Sequence, residues 1–226
     1  LPSEKIKTIT MNDYSEKAIE QIKKNLTQNG IEMEDDKRIQ ISCTEASLFL
    51  LRSNGFEYID IDPFGTPVPF LDAACKRLSR DGILAVTATD TSALAGVFPD
   101  ACKRKYGAIP LHCPMMHEIG LRILIKKCQE VGAQYEKALT LIFSYAKDHY
   151  YRVFFQAEKG RIKADRILRQ HGMIESAGPL WLGRLWDEEF VKKMKTDQQE
   201  AERFLNVIKK EAIIPAIGFY DVHAVC

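Results

Sequence analysis

The spacing of hydrophobic and polar positions changes repeatedly along the first part of the chain. Short apolar or β-branched runs predict strands over residues 5–13, 38–43, 56–62 and 83–90, and runs with helical spacing predict helices over residues 14–30, 44–53 and 69–82. Strand and helix therefore alternate. This alternation predicts an α/β fold with a parallel, doubly wound sheet.

The pattern in the remainder of the chain is mixed. A long amphipathic helix is predicted over 114–132, and the aromatic-rich segment 135–160 predicts two strands or one long bent pair. Farther along, the pattern predicts a helix over 161–171, a loop over 178–187 and helices over 187–211. We expect a domain boundary between residues 147 and 148.

Four acidic residues follow the predicted strands or begin the helices after them: Asp13, Glu45, Asp62 and Asp90. In a doubly wound sheet, ligands bind outside the carboxyl ends of the strands. The sequence therefore predicts a site on that rim of the sheet, with these carboxylates along it.

The first two of these acids have two interpretations each. Asp13 could accept hydrogen bonds from the ribose hydroxyls of an adenosine-containing cofactor, or it could cap the helix that follows. Glu45 could accept from an adenine amino group while the backbone at Ala46 meets the ring nitrogen, or it could cap the first turn of its helix. The local sequence leaves both alternatives open.

The corner "DPFG" at residues 62–65 indicates more specific chemistry. An exocyclic amino group of a base is a poor nucleophile, because its lone pair is delocalised into the ring. Asp62 and the Pro63 carbonyl could accept its two N–H bonds and free that lone pair for methyl transfer. Phe64 could stack on the base, and glycine would allow close backbone approach.

Composition limits the partners that the chain could have. Hydrophobic residues make up 46% and charged residues 28%, with a net charge of +1. No apolar run approaches the ~18–20 residues of a membrane helix, so we expect no membrane contact. Any nucleic-acid binding must use local basic patches, of which the one containing Arg104 and Lys105 is the best candidate. The six cysteines have no disulfide or zinc spacing, which favours a cytoplasmic protein.

Several segments together resemble the tRNA (guanine-26-N2)-dimethyltransferases. They are "DIDPFGTPVPFLDAA", "GILAVTATDTSALAG", "CKRKYGAIPL", "HEIGLRILI", "DHYYRVFF" and "GPLWLGRLWDEEF". They follow one another in collinear order over nearly the whole chain.

The resemblance implies a class I S-adenosylmethionine-dependent methyltransferase domain over 1–147, Rossmann-like, and a C-terminal tRNA-binding α+β domain over 148–226. It implies S-adenosylmethionine as the methyl donor and the N2 amino group of guanine 26 in tRNA as the acceptor. By motif, Asp13, Glu45 and Ala46 match the cofactor-binding residues, although Glu45 replaces the usual aspartate. Asp62, Pro63 and Phe64 match the catalytic residues.

His149 and Tyr150 could line the guanine pocket or the tRNA groove, or could be structural residues of a strand pair. No obligate protein partner is evident from the sequence. His117 and Glu118 are interpreted as structural, because no third metal ligand has matching spacing.

Two departures from the family pattern affect these expectations. The chain begins at what its pattern predicts as the second strand, so the first strand and the glycine-rich cofactor loop are expected to precede it. Many members carry a four-cysteine zinc site before the G-P-x-W segment, but residues 172–178 contain no cysteine. The sequence thus assigns no metal ligand and leaves zinc open.

Two alternatives to this function remain. The chain could be a non-catalytic tRNA-binding relative, or an amino-group methyltransferase that acts on another base. The retained D-P-F-G corner argues against the former, and the glycine after a single proline against the latter.

Overall fold

The computed structural model describes residues 6–31 and 37–193, in a chain that divides into two compact units, Leu1–Asn54 and Gly55–Cys226. The elements of the first unit are β1 (Ile9–Asp13), α1 (Glu16–Gln28), β2 (Ile39–Cys43) and α2 (Ala46–Arg52). β1 and β2 are parallel, with Asp13 opposite Cys43. The strands and helices predicted for this unit are confirmed, and the carboxyl ends of its strands lie side by side.

The second unit contains most of the described chain. In chain order its elements are β3 (Phe56–Ile61), α3 (Val68–Arg77), β4 (Leu78–Ala88), α4 (Thr91–Leu94), α5 (Pro99–Tyr106), α6 (Met116–Gln134), β5 (Lys137–Lys147), β6 (Tyr150–Lys159), α7 (Arg161–Leu168), β7 (His171–Ile174), β8 (Ala177–Trp181) and α8 (Glu188–Lys193).

A four-stranded sheet in the order β3-β4-β6-β5 forms the centre of this unit. β3 and β4 are parallel, as predicted, and Ile61 lies opposite Val86. β5 and β6 form one long antiparallel pair, and β6 also pairs antiparallel with β4. The boundary expected between residues 147 and 148 falls at the turn of the β5–β6 hairpin, so the sheet continues to Lys159.

The helix predicted over 69–82 is too long. α3 ends at Arg77, and Leu78 already pairs with Phe56 of β3. The Nζ of Lys137 donates hydrogen bonds to the carbonyl oxygens of Cys75 and Leu78, each at 2.6 Å. A lysine distant in sequence therefore satisfies carbonyl groups at the end of this helix, where the local pattern predicted a further turn.

The loop predicted over 178–187 contains a strand. β8 pairs antiparallel with β7, and its Gly178 exchanges two backbone hydrogen bonds of 2.8 Å with Ile109. Glycine and proline in this segment favour a loop locally, but long-range pairing decides its structure. Of the helices predicted over 187–211, α8 is present, and the rest lies outside the described residues.

α6 is a buried helix that packs against both the four-stranded sheet and the β7–β8 hairpin. It contacts α3, α4, β5, α7 and β8. Within it, the Nε of Arg122 lies 2.8 Å from a carboxylate oxygen of Glu118, and both side chains are fully buried. Arg122 also donates to the carbonyl oxygens of Trp181 and Gly183, at 2.8 and 2.9 Å. One guanidinium thus connects α6 to the last residue of β8 and to the segment that follows it.

In the part of the chain that the structure describes, no helix has the length and hydropathy needed to cross a membrane.

Replacement of Arg122 by methionine should strongly destabilise the second unit. The substitution removes the counter-charge of buried Glu118 and the donors to two carbonyl groups, so the free energy of unfolding should fall by about 3–5 kcal/mol. Urea denaturation of the two proteins measures this difference. The control is Arg161→Met, since that arginine is largely exposed and pairs with Glu136 at 3.1 Å; we expect a loss below about 1 kcal/mol there. Equal losses in the two variants would contradict a special role for Arg122.

Candidate active site

The D-P-F-G corner is a bend that follows the end of β3. Ile61, the last residue of the strand, is buried, whereas Asp62 is exposed and Phe64 is fully exposed. Among the described residues, the Asp62 carboxylate has no hydrogen-bond or ion-pair partner. Pro63 lacks an N–H and cannot extend the ladder of the sheet. The corner therefore presents a carboxylate and an aromatic ring to solvent.

Gly65 closes the corner and fixes it to the end of β4. Its φ of +85° is one that residues with a side chain rarely adopt. The Gly65 N–H donates to the Thr89 hydroxyl at 2.6 Å, and the Thr89 N–H donates to the Gly65 carbonyl at 3.0 Å. Both backbone groups of Gly65 are therefore held by one residue of the neighbouring strand end.

A second set of hydrogen bonds lies next to this pair. The Thr66 hydroxyl donates to the Tyr106 hydroxyl at 3.0 Å, and the Tyr106 hydroxyl donates to Asp90 at 2.6 Å. The other carboxylate oxygen of Asp90 accepts from the Nζ of Lys105 at 2.9 Å. Tyr106 is fully buried, and burial, followed by its hydrogen bond to Asp90, raises the pKa of its hydroxyl. Tyr106 therefore remains a neutral donor.

The two strand-end acids of this unit consequently differ in what they can do. Asp90 has both oxygens occupied by protein donors, and its side chain is only 11% exposed. Asp62 is exposed and open to a ligand. The structure brings both to the same edge of the β3–β4 pair, and of the two only Asp62 is exposed and without a partner among the described residues.

In the first unit, Asp13 and Glu45 both make local backbone contacts. One carboxylate oxygen of Asp13 accepts from the Ser15 N–H at 2.8 Å, and the other oxygen has no partner among the described residues. The Glu45 carboxylate accepts from the N–H groups of Ser47 and Leu48, at 2.9 and 2.8 Å. These donors lower the pKa of Glu45, Ser47 contributing most. Glu45 is thus the N-cap of α2.

The residues predicted to contact tRNA lie in different environments. Arg104 is exposed on α5, whereas the ammonium of Lys105 is engaged by Asp90. His149 is exposed in the turn between β5 and β6. Tyr150 is half-buried, with its ring centroid 6.0 Å from that of Tyr145 in an edge-to-face arrangement.

His117 and Glu118 make structural contacts. A ring nitrogen of His117 lies 2.9 Å from the Tyr151 hydroxyl, and Glu118 pairs with Arg122. Across the residues that the structure describes, no group of three or more His, Cys, Asp or Glu side chains is arranged to hold a metal ion. Residues 172–178, where the resemblance raised the question of zinc, run through the β7–β8 hairpin.

Sequence reasoning assigned no role to Thr66, Thr89 or Tyr106. Thr89 lies in "TATD" and Tyr106 in "CKRKYG", two segments that carried the family resemblance. Their presence in those segments was the one indication that the sequence offered. The contact of Thr89 with Gly65 depends on the parallel pairing of β3 with β4, and the contacts of Tyr106 depend on where α5 packs. No local pattern encodes either.

Comparison with known proteins identifies the family. The family model for N2,N2-dimethylguanosine tRNA methyltransferase matches residues 2–177. A relative from Aquifex aeolicus, named tRNA (guanine(26)-N(2)/guanine(27)-N(2))-dimethyltransferase, is 39% identical over 247 residues, which cover 92% of this chain and 62% of the relative. The tRNA (guanine(26)-N(2))-dimethyltransferase of Pyrococcus horikoshii is 36% identical over 256 residues, covering 96% of this chain and 67% of the relative.

A solved structure gives the same result. The complex of Trm1 from Pyrococcus horikoshii with S-adenosyl-L-methionine matches with a TM-score of 0.81 and 34% sequence identity, covering 97% of this chain and 69% of that one. The fold is therefore that of the class I methyltransferases, as the resemblance implied. The chain spans less than two thirds of the length of the Aquifex relative. The family match and these identities confirm the resemblance: this chain belongs to the N2,N2-dimethylguanosine tRNA methyltransferase family.

Proposed function

We propose that the full-length protein transfers methyl groups from S-adenosylmethionine to the exocyclic N2 amino group of guanine 26 in tRNA, giving N2-methyl- and N2,N2-dimethylguanosine. Family membership supports the reaction class and the substrate. The observation that carries the proposal for this chain is the D-P-F-G corner. There, an exposed carboxylate without a partner among the described residues sits on a backbone fixed at Gly65.

Asp62 and Pro63 would activate the acceptor. The Asp62 carboxylate and the Pro63 carbonyl accept the two N–H bonds of the guanine amino group, which directs its lone pair out of the ring plane. S-adenosylmethionine supplies an electrophilic methyl group bound to sulfur. The nitrogen lone pair would form the new N–C bond as the C–S bond breaks, with S-adenosylhomocysteine as the leaving group, and the proton lost from the nitrogen would pass to the Asp62 carboxylate. Positioning and charge stabilisation account for the rate without a covalent enzyme intermediate.

Phe64 would hold the base. A guanine in folded RNA must leave its stack before its amino group can reach an enzyme carboxylate. A fully exposed ring beside Asp62 offers a replacement stacking surface, worth ~1–3 kcal/mol per base.

The cofactor would contact Asp13, Glu45 and Ala46. Asp13 fits a ribose because one oxygen is fixed by the Ser15 N–H and the other lacks a partner among the described residues. The N–H of Ala46 lies at the first helical position of α2, where no intrahelical acceptor exists. Glu45 would accept from the adenine amino group through lone pairs that its capping bonds leave open.

For tRNA, we propose contacts by Arg104, Lys105, His149 and Tyr150. Arg104 and His149 are exposed, which supports direct contact with phosphate or base. Lys105 would bind a phosphate either while it stays paired with Asp90 or by exchanging that ion pair for one with the phosphate.

We also propose a cytoplasmic location, supported by the free state of all five cysteines among the described residues.

Asp62→Ala should abolish most of the methyl transfer. The substitution removes the acceptor that activates the amino group, and we expect turnover to fall by about 10²-fold or more. The assay uses the full-length protein, labelled S-adenosylmethionine and a tRNA transcript with guanine at position 26. A transcript with adenine there is the substrate control, and Asp165→Ala, which removes an exposed carboxylate on α7, is the protein control.

The outcomes separate the alternatives. Label that enters only the guanine transcript and is lost with Asp62→Ala supports the proposal. Tight tRNA binding without transfer would favour the non-catalytic relative, and label on another base would favour a different amino-group methyltransferase. A transcript with guanine at both 26 and 27 tests whether the double specificity in the name of the Aquifex relative extends to this protein.

Asp13→Asn should weaken use of the cofactor without unfolding the protein. Asparagine retains the oxygen that accepts from Ser15 but loses the charge facing the ribose hydroxyls. A charge-assisted hydrogen bond is worth ~1.5–3 kcal/mol, so the KM for S-adenosylmethionine should rise by roughly ten- to a hundredfold. Steady-state kinetics and the thermal midpoint are measured together. An unchanged KM would leave Asp13 as a turn residue only.

Glu45→Gln should lower the thermal midpoint at neutral pH, and the difference should vanish in acid. The pKa of Glu45 is lowered in the folded chain, so its stabilisation is fully present above the ordinary glutamate pKa. It is lost as the pH falls through the lowered value, where the wild-type carboxyl also becomes neutral. Thermal melts from pH 7 to pH 3 test this. Glu20→Gln, at an exposed position of α1, is the control; a pH-independent deficit in Glu45→Gln would contradict the capping role.

A further inference from the structure

The D-P-F-G corner and the residue after it, Thr66, are hydrogen-bonded to side chains that lie outside the corner. Thr89 binds both backbone groups of Gly65, through its hydroxyl at 2.6 Å and its N–H at 3.0 Å. The peptide groups between Asp62 and Gly65 are therefore anchored at one end by the last residue of β3 and at the other by Thr89. These two anchors restrict the directions that the Pro63 carbonyl can take.

A second anchor acts on the next residue along the chain. Thr66 donates to the hydroxyl of Tyr106, which in turn donates to Asp90. The Tyr106 ring is fully buried, so the packing around it restricts its movement. Lys105 balances the charge of Asp90 at 2.9 Å. Every side chain in this series of hydrogen bonds has a partner, and Tyr106 at its centre is fully buried, which favours a single arrangement.

Thr89 and Asp90 are consecutive residues just after β4, so both sets of hydrogen bonds originate from the same end of that strand. The Thr89 pair fixes the backbone of Gly65, and the Asp90–Tyr106 pair fixes the side chain of Thr66. Two adjacent residues of the corner are thus tied to two adjacent residues of the neighbouring strand end. Loss of either anchor would leave the corner hydrogen-bonded to the residues beyond β4 at a single point.

We propose that Thr89 and Tyr106 are positioning residues for methyl transfer, with the Asp90–Lys105 pair as their charged anchor. This inference rests on the proposed function, because its effect is expressed in that reaction. Thr89 and Tyr106 act through the backbone of the corner, which sets where Asp62 and the Pro63 carbonyl meet the amino group. Misplacement of reacting groups by about 1 Å can cost 10²-fold in rate.

The test compares substitutions that remove one hydroxyl each. Thr89→Val and Tyr106→Phe preserve shape and lose the hydrogen bonds, so kcat should fall by roughly ten- to a hundredfold. The KM values for S-adenosylmethionine and tRNA should stay within about twofold, because neither residue contacts a substrate. Thr89→Ser restores the acceptor for Gly65 and should recover most of the lost kcat. Thr140→Val, at an exposed threonine of β5, is the matched control.

A second measurement does not depend on activity. Hydrogen exchange of the Gly65 amide should be faster in Thr89→Val than in the wild type, by roughly tenfold, since its acceptor is lost. The same amide should exchange at the wild-type rate in Thr140→Val. An unchanged exchange rate of the Gly65 amide in Thr89→Val would contradict the hydrogen bond between Gly65 and the Thr89 hydroxyl.

The kinetic outcomes distinguish the two proposals. Wild-type transfer with unchanged kcat in Thr89→Val and Tyr106→Phe overturns the positioning role alone. A parallel rise in KM and loss of thermal stability, without recovery in Thr89→Ser, also overturns it in favour of a general structural role. A wild-type protein that transfers no methyl group overturns the proposed function and the positioning role together.

Discussion

The parallel pairing of β3 and β4 is the constraint on which the candidate site depends. Ile61 lies opposite Val86, and β4 continues to Ala88 before the chain turns. Parallel strands end at the same edge of a sheet, so the residues after β3 and those after β4 become neighbours. In an antiparallel pair the D-P-F-G corner and the T-D segment would lie at opposite edges, and neither anchor of the corner could form.

Surroundings, more than residue type, decide what each strand-end carboxylate can do. Asp90 is nearly buried and binds a lysine and a tyrosine, so it serves as an anchor. Glu45 is exposed, but two backbone N–H groups occupy its oxygens. Asp13 has one oxygen in a turn, and Asp62 has no partner among the described residues. The sequence pattern predicts four carboxylates at the strand ends, but the structure gives each of them a different set of hydrogen-bond partners.

Elements defined by local periodicity were predictable from the sequence, and those defined by distant contacts were not. The strands and helices of the first unit, the parallel β3–β4 pair and the β5–β6 pair follow from hydrophobic spacing. The end of α3 depends on Lys137, which is far along the chain from the carbonyl groups that it binds. β8 depends on pairing with β7 and with Ile109, which the local glycine and proline do not indicate.

The candidate site divides in the same way. The acid, proline, aromatic and glycine of the corner could be identified because each residue type has a chemical reason to be there. Tyr106 could not, because a tyrosine at the end of a basic helix predicts a surface residue as readily as a buried donor. Its function as a donor depends on α5 packing its last turn beside the strand ends, which is a property of the folded unit.

The corner combines exposed side chains with a backbone that hydrogen bonds hold in place, and this combination affects binding. The side chains that would meet a base are exposed, whereas the backbone that carries them is tied at Gly65 and Thr66 to residues beyond β4. Ordering a flexible loop on binding reduces affinity, because the conformational freedom that the loop loses opposes association. A corner that is already fixed would avoid that cost, and the acceptor proposed at the Pro63 carbonyl would be in place before the substrate arrives. On the proposed function, the hydrogen bonds of Thr89 and Tyr106 to the corner would therefore contribute to binding and reaction without direct contact with the RNA.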